Sequence, residues 1–235
     1  MKKIRLWYIT ANEFSHINRS IKVMAEYDWI DSIVILHTDS NEPKYGGKLA
    51  EISPKKIKEY WTDFGNGFDK SIEDGGFDEI GARNMALYLC KQDGFKGWVL
   101  YCDSDEYYTY DTIKAFQMAE QGNYDSINFR CFHLNDKLTY RVNPRNIYDR
   151  HVRAWILNDD IKFAPHDSEE FMRQFKNKTL HCRRIGCKKT LTTDLKYHIH
   201  TKFLYKDKYK PLPQDFAIYP IEFELPEIYI NESDI

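Results

Sequence analysis

The chain is 235 residues long, 42% hydrophobic and 30% charged, with 34 basic against 36 acidic side chains. This composition excludes a disordered tail and predicts one domain with a sizeable core; no apolar run reaches the roughly 18 residues that a membrane span needs. The Met-Lys-Lys start leads into an alternating segment, not a signal-peptide core, and the five scattered cysteines (Cys90, Cys102, Cys131, Cys182, Cys187) fit reduced thiols, so a cytoplasmic location is expected.

Lys3 to Thr10 alternates and is rich in Ile, Leu, Trp and Tyr, which predicts a first strand. Ser15 is the expected N-cap of a helix whose Ile17, Ile21, Met24 and Ala25 fall at helical spacing through Tyr27. Asp31 to His37 predicts a buried strand, and Asn41 to Gly47 a loop. A third strand is expected over Glu59–Phe64, then a glycine-rich connection over 65–76. A helix follows over Ile80–Lys91, with Ala82, Met85, Ala86 and Leu89 inward. Gly97 to Cys102 predicts a further buried strand, running straight into Asp103-Ser104-Asp105-Glu106. Thr109–Gln121 reads as a helix, Tyr124–Leu134 and His151–Leu157 as strands, and Lys178–Lys210 as mixed short elements. Alternating strand and helix predicts an α/β fold with a mostly parallel, Rossmann-like central sheet, helices on both faces, and an irregular, basic C-terminal part. The organisation expected is a single domain over 1–235, with halves 1–135 and 136–235.

Charge is unevenly distributed. Residues 173–210 hold twelve Lys/Arg and two acids, an excess of ten positive charges, whereas 215–235 holds six acids and no Lys or Arg. A block this basic suits an anionic partner (nucleic acid, a lipid surface in peripheral contact, or a diphosphate) or else forms a solvated face.

Ligands of open α/β sheets bind beyond the carboxyl ends of the strands. Three polar clusters fall at such ends: Thr10, Asn12 and Glu13; Thr38, Asp39 and Ser40; and Asp103, Asp105 and Glu106. Asp103 and Asp105, two apart in an extended segment, can share a divalent cation, and hard oxygen ligands suit Mg²⁺ or Mn²⁺. The plainer reading is an acidic turn capping the helix near Thr109. No phosphate-binding P-loop, dinucleotide-binding glycine motif or hydrolase elbow occurs. His181-Cys182 and Cys187 lack a second cysteine pair, so they read as structural. His198 and His200 would share a side on a strand but not on a helix.

In order along the chain, Asn12-Glu13, Asp39-Ser40, Ala82-Arg83-Asn84-Met85-Ala86-Leu87 and Asp103-Ser104-Asp105-Glu106 resemble the motifs of family 2 glycosyltransferases of the GT-A fold. Weaker matches are an Arg-x-Trp strand starting at Arg153 that leads to His166-Asp167, and the late Tyr197-His-Ile-His200. The resemblance implies a nucleotide-diphosphate sugar as donor, a UDP-sugar being favoured, and inverting transfer to an acceptor hydroxyl. It places Thr10, Asn12, Glu13, Asp39, Arg83, Asn84, Asp103 and Ser104 at the donor, and Asp103, Asp105 and His200 at a Mn²⁺ or Mg²⁺ ion. Asp167, or Glu169, is implied as the catalytic base, with Glu106 a weaker choice; Asp167 to Glu170 can equally cap a helix. The acceptor expected is a cell-surface glycan or an anionic polymer such as modified DNA. Two other readings stay open: a nucleotidyltransferase on a similar sheet, and a nucleic-acid-binding module using 173–210, where Tyr197, Phe203, Tyr205 and Tyr209 interleave with lysines.

Overall fold

The computed structural model describes residues 1–11, 14–41, 48–54, 56–65, 76–134, 139–142, 150–165, 182–201, 217–222 and 225–226. Asn12, Glu13, Asp167 and Glu169 lie outside them, as do Phe203, Tyr205 and Tyr209. The described elements are β1 (Ile4–Thr10), α1 (Phe14–Met24), β2 (Ser32–His37), α2 (Lys48–Ile52), β3 (Ile57–Trp61), α3 (Glu79–Lys91), β4 (Trp98–Asp103), β5 (Glu106–Tyr108), α4 (Ile113–Gln121), β6 (Ser126–Leu134), β7 (Thr139–Val142), β8 (Arg150–Ile156), β9 (Lys162–Pro165), β10 (Cys182–Ile185), β11 (Thr190–His200) and β12 (Ala217–Pro220).

The strands β3, β2, β1 and β4 lie side by side and parallel, in that order. For β2 and β4 this is what their near-continuous apolar runs predict, because strands covered on both faces have no polar side to alternate with; β3, with Lys58 exposed, ends the parallel series. Beyond β4 the sheet turns mixed: β8 runs antiparallel to both β4 and β6, and β7 and β12 extend it antiparallel. Two hydrophobic clusters sit on opposite faces. One packs Ile17, Ile21 and Met24 of α1 and Ala115 and Phe116 of α4 onto β1, β2 and β4; the other packs Ala86, Leu87, Leu89 and Cys90 of α3 against Trp7, Trp155 and Phe163.

Several boundaries differ from the sequence expectation. The first helix begins at Phe14, so Ser15 lies inside its first turn and does not cap it. The third strand covers Ile57–Trp61, not Glu59–Phe64, because its parallel register with Ile33–His37 places buried Ile57 at the start. The short helix α2 and the strand β5 were not expected; three residues are too few to show a period, and β5 exists through pairing with β11, some ninety residues later. Consequently α4 starts at Ile113, after a 3-10 turn over Tyr110–Thr112. Among the described residues no helix is long and apolar enough to cross a membrane, and Cys90, Cys102, Cys131 and Cys187 are thiols.

Candidate active site

The parallel strands end level with one another. Thr10 pairs with His37, His37 with Trp61, and Ile9 with Asp103, so the ends of β1, β2, β3 and β4 form one edge. The chain leaves β1 toward β2 on one side and meets β4 on the other, which opens the crevice where α/β sheets take ligands. The first two ends are tied together: the Thr38 N–H and hydroxyl both donate to the Thr10 carbonyl, at 2.9 and 3.2 Å, and the Phe64 N–H donates to the Thr38 carbonyl at 2.8 Å. Thr10 and Thr38 are buried, while Asp39 is half-buried beyond them. His37 stacks on Trp61, with ring centroids 5.2 Å apart and planes 4° from parallel. Burial pushes its pKa down to about 4, against the opposing pull of Asp39, so the imidazole is neutral.

On the other side of the crevice, α3 opens with Asp78 as its N-cap, the carboxylate accepting from the Gly81 N–H at 2.9 Å. One turn later Arg83 pairs with Glu79 at 2.7 Å, and its guanidinium lies 4.5 Å from the centre of the Tyr101 ring. Asn84 turns to β9: its amide donates to the Phe163 carbonyl at 3.0 Å and accepts the Phe163 N–H at 2.9 Å.

The acidic turn after β4 is not an isolated cap. Asp103 accepts from the Tyr101 hydroxyl and, at 2.9 Å, pairs with Arg153 of β8. Burial alone would raise the Asp103 pKa, but Arg153 and then Arg83 outweigh it and hold the carboxyl well below its usual range. Arg153 also donates to Glu106 at 2.9 Å, and the other Glu106 oxygen accepts the Asp103 N–H at 3.0 Å. Glu106, the weaker of the expected bases, is only 2% exposed and pairs with Arg153. Ser104 is buried. The Asp105 carbonyl accepts both the N–H and the hydroxyl of Thr201, at 2.8 and 2.7 Å. This clamp continues the antiparallel pairing of β11 with β5, which sets the backbone of His200 opposite Glu106 and that of His198 opposite Tyr108. The late histidine motif therefore lies on a strand beside the acidic turn. The His200 side chain is outside what is described.

His198 is fully buried. Its ring stacks on Tyr108, with centroids 4.9 Å apart, and burial with the nearby Arg153 keeps the imidazole neutral far below its ordinary pKa.

Sequence reasoning gave no role to Arg153, which joins the acidic turn to the rest of the sheet. A signal was present: an arginine within the apolar run Val152 to Ile156, heading the Arg-x-Trp strand, must find a buried anion if the strand is central. Thus Asp103 and Arg83 converge on the Tyr101 ring and Asp105 stands next in the turn, whereas Asn84 bonds to β9. Thr10 and Asp39 belong to the neighbouring strand ends.

A parallel α/β half joined to a mixed half, with an acidic turn after the fourth strand clamped by a late strand, defines the GT-A glycosyltransferase fold. Solved structures of Staphylococcus aureus TarS share it. TarS 1–349 superposes with a TM-score of 0.54 at 17% identity, covering 86% of this chain and 60% of that one. Its complex with UDP gives 0.54 at 18% over the same shares, and its complex with UDP-GlcNAc 0.52 at 19%, covering 89% and 60%. The chain thus spans about three-fifths of the length of these neighbours. No protein-family model and no curated protein matches the sequence.

Proposed function

We propose that this protein is a metal-dependent, inverting glycosyltransferase that moves a sugar from a nucleotide-diphosphate donor, a UDP-sugar, to an acceptor hydroxyl. The observation that carries the reading is the acidic turn Asp103–Glu106 at the carboxyl edge of a GT-A sheet, where Asp103 pairs with Arg153 and both Arg153 and Arg83 lie over the Tyr101 ring. TarS, with the same fold, has been solved with UDP and with UDP-GlcNAc bound.

In this reading Thr10 and Asp39, with Asn12 and Glu13, line the nucleoside end, and Arg83 meets the diphosphate. The donor set of the turn fits a hard cation. Asp103 stays ionised and acceptor-only, and Asp105, Asp103 and His200, whose backbone pairs opposite Glu106, would supply oxygen and nitrogen ligands. A bound Mn²⁺ or Mg²⁺ would neutralise charge on the departing diphosphate. The chain's own contribution is orientation: Arg153 fixes Asp103, Thr201 fixes the Asp105 backbone, and the turn keeps its shape as charge develops. Asp167, or Glu169, takes the proton of the acceptor hydroxyl. The basic stretch 173–210 holds the acceptor, a glycan or an anionic polymer.

The test is thermal unfolding with a panel of nucleoside diphosphates, each with and without Mn²⁺. One nucleotide should stabilise only with metal; at a hundredfold excess over Kd the gain is about 2.7 kcal/mol, or roughly 5–10 °C for a chain of this size. Absence of a shift with every nucleotide, with and without metal, refutes the reading.

A further inference from the structure

Behind the acidic turn, on the buried side of Glu106, three side chains from three strands converge. The sulfur of Cys131, a ring nitrogen of His198 and a carboxylate oxygen of Glu106 all lie within 4.8 Å of one another, and the three residues are 2%, 0% and 2% exposed. The sheet sets this up by register. Along β11 and β6 the pairing slips, a five-residue step from Thr193 to His198 matching a two-residue step from Phe129 to Cys131, and the slip brings His198 directly opposite Cys131. On its other edge β11 carries His198 opposite Tyr108, next to the β5 residue Tyr107 and two from Glu106.

The histidine is the telling member. Its Nε2 lies 2.9 Å from Glu106 Oε2, yet among the described residues neither ring nitrogen makes a hydrogen bond, although the residue is completely buried. A buried imidazole ordinarily finds aligned hydrogen-bond partners for both nitrogens, so a ring that has only a close, misaligned contact to Glu106 marks a place for something else to bind. Arg153 faces two carboxylates, Asp103 and Glu106. A divalent cation that takes Cys131 as the thiolate, its proton passing to solvent, adds one net positive charge beside them.

We propose that Glu106, Cys131 and His198 form a buried transition-metal site, for a zinc-class ion, that braces the acidic turn from beneath. Three atoms within 4.8 Å of one another leave a centre no more than about 2.8 Å from any of them, close to zinc's bond lengths of about 2.0–2.3 Å. One thiolate, one imidazole and one carboxylate suit Zn²⁺ or Co²⁺, whereas Mn²⁺ and Mg²⁺ prefer the all-oxygen chemistry of the exposed turn. The site is distinct from the Asp105 ion and does not rest on the glycosyltransferase reading. Local motif reading could not reveal it, because its members are 25 and 67 residues apart along the chain.

The test is metal analysis of the full chain, purified without chelator from zinc-supplemented culture. About one zinc per chain is expected, and exchange for Co²⁺ should give a thiolate-to-cobalt charge-transfer absorption in the near ultraviolet. Cys131→Ser should lose that absorption, and His198→Gln should lower zinc content about tenfold or more, whereas Asp105→Ala should retain it. The proposal is overturned if the wild-type chain carries under about a tenth of an equivalent and shows no cobalt absorption on titration. It is equally overturned if the absorption persists in Cys131→Ser, or if Asp105→Ala alone empties the site. Should the Cys131 and His198 variants fail to fold, the wild-type zinc content and cobalt spectrum decide. Nucleotide binding is scored separately, so either reading can fail without the other.

Discussion

Asn84 offers the sharpest test of how the crevice is built. Its side chain forms a two-point clamp on Phe163, at 2.9 and 3.0 Å, joining α3 to β9 across 79 residues of chain. Phe163 in turn packs on Trp7 and Trp155 beneath Arg83. Truncation by Asn84→Ala removes two hydrogen bonds, each contributing about 1 kcal/mol net, and leaves a backbone N–H and C=O poorly paired. With water reaching part of the gap, the loss should be about 2–4 kcal/mol, or roughly 4–16 °C in Tm. Asn84→Asp adds a signature. The ionised carboxylate still accepts from the Phe163 N–H but opposes the Phe163 carbonyl; the protonated acid can donate to it. The folded-state pKa of the introduced carboxyl should therefore lie above the unfolded value of about 3.9. The deficit is then largest at pH 8 and shrinks as pH falls through the folded-state pKa. Urea unfolding of wild type and both variants at pH 5 and pH 8 measures this, since the titration of other groups cancels in the difference. A loss under about 0.5 kcal/mol for Asn84→Ala, or an Asn84→Asp deficit independent of pH, would refute the reasoning.

Three further outcomes are expected. In chelator-treated protein, Arg153→Met strands the buried Glu106 and should cost about 3–5 kcal/mol in urea unfolding, with much of it restored in the double variant Arg153→Met/Glu106→Gln; no restoration would mean that packing, not charge, dominates. His37, held at a pKa of about 4 against an unfolded value near 6.5, makes stability fall as pH drops from about 6.5 toward 4, by up to about 3 kcal/mol; His37→Phe, which keeps the stack on Trp61, should flatten that slope. Asp105→Ala should abolish the metal-dependent stabilisation by nucleotide and cut sugar transfer by at least about 100-fold, with the unfolding midpoint of the unliganded chain little changed.

What the sequence determined by itself is what local pattern can encode. The alternating run Lys3–Thr10 and the apolar runs Asp31–His37 and Gly97–Cys102 read as strands, the last two as buried ones, and the helical spacing of Ala82, Met85, Ala86 and Leu89 gave a helix with one apolar face. Polar residues straight after such strands placed a crevice at one edge, so Thr10, Asp39 and Asp103 were legible as its rim. The tertiary structure alone decided what those acids face. Arg153 reaches Asp103 and Glu106 from β8, Thr201 clamps the Asp105 backbone from β11, and Cys131 meets His198 through a slip in strand register. Such pairings follow from how non-adjacent strands are ordered and aligned in the sheet, and a one-residue shift would carry every side chain to the opposite face. Single residues in a sequence carry no record of that alignment; burial makes it binding, because each charge taken out of water must find its partner.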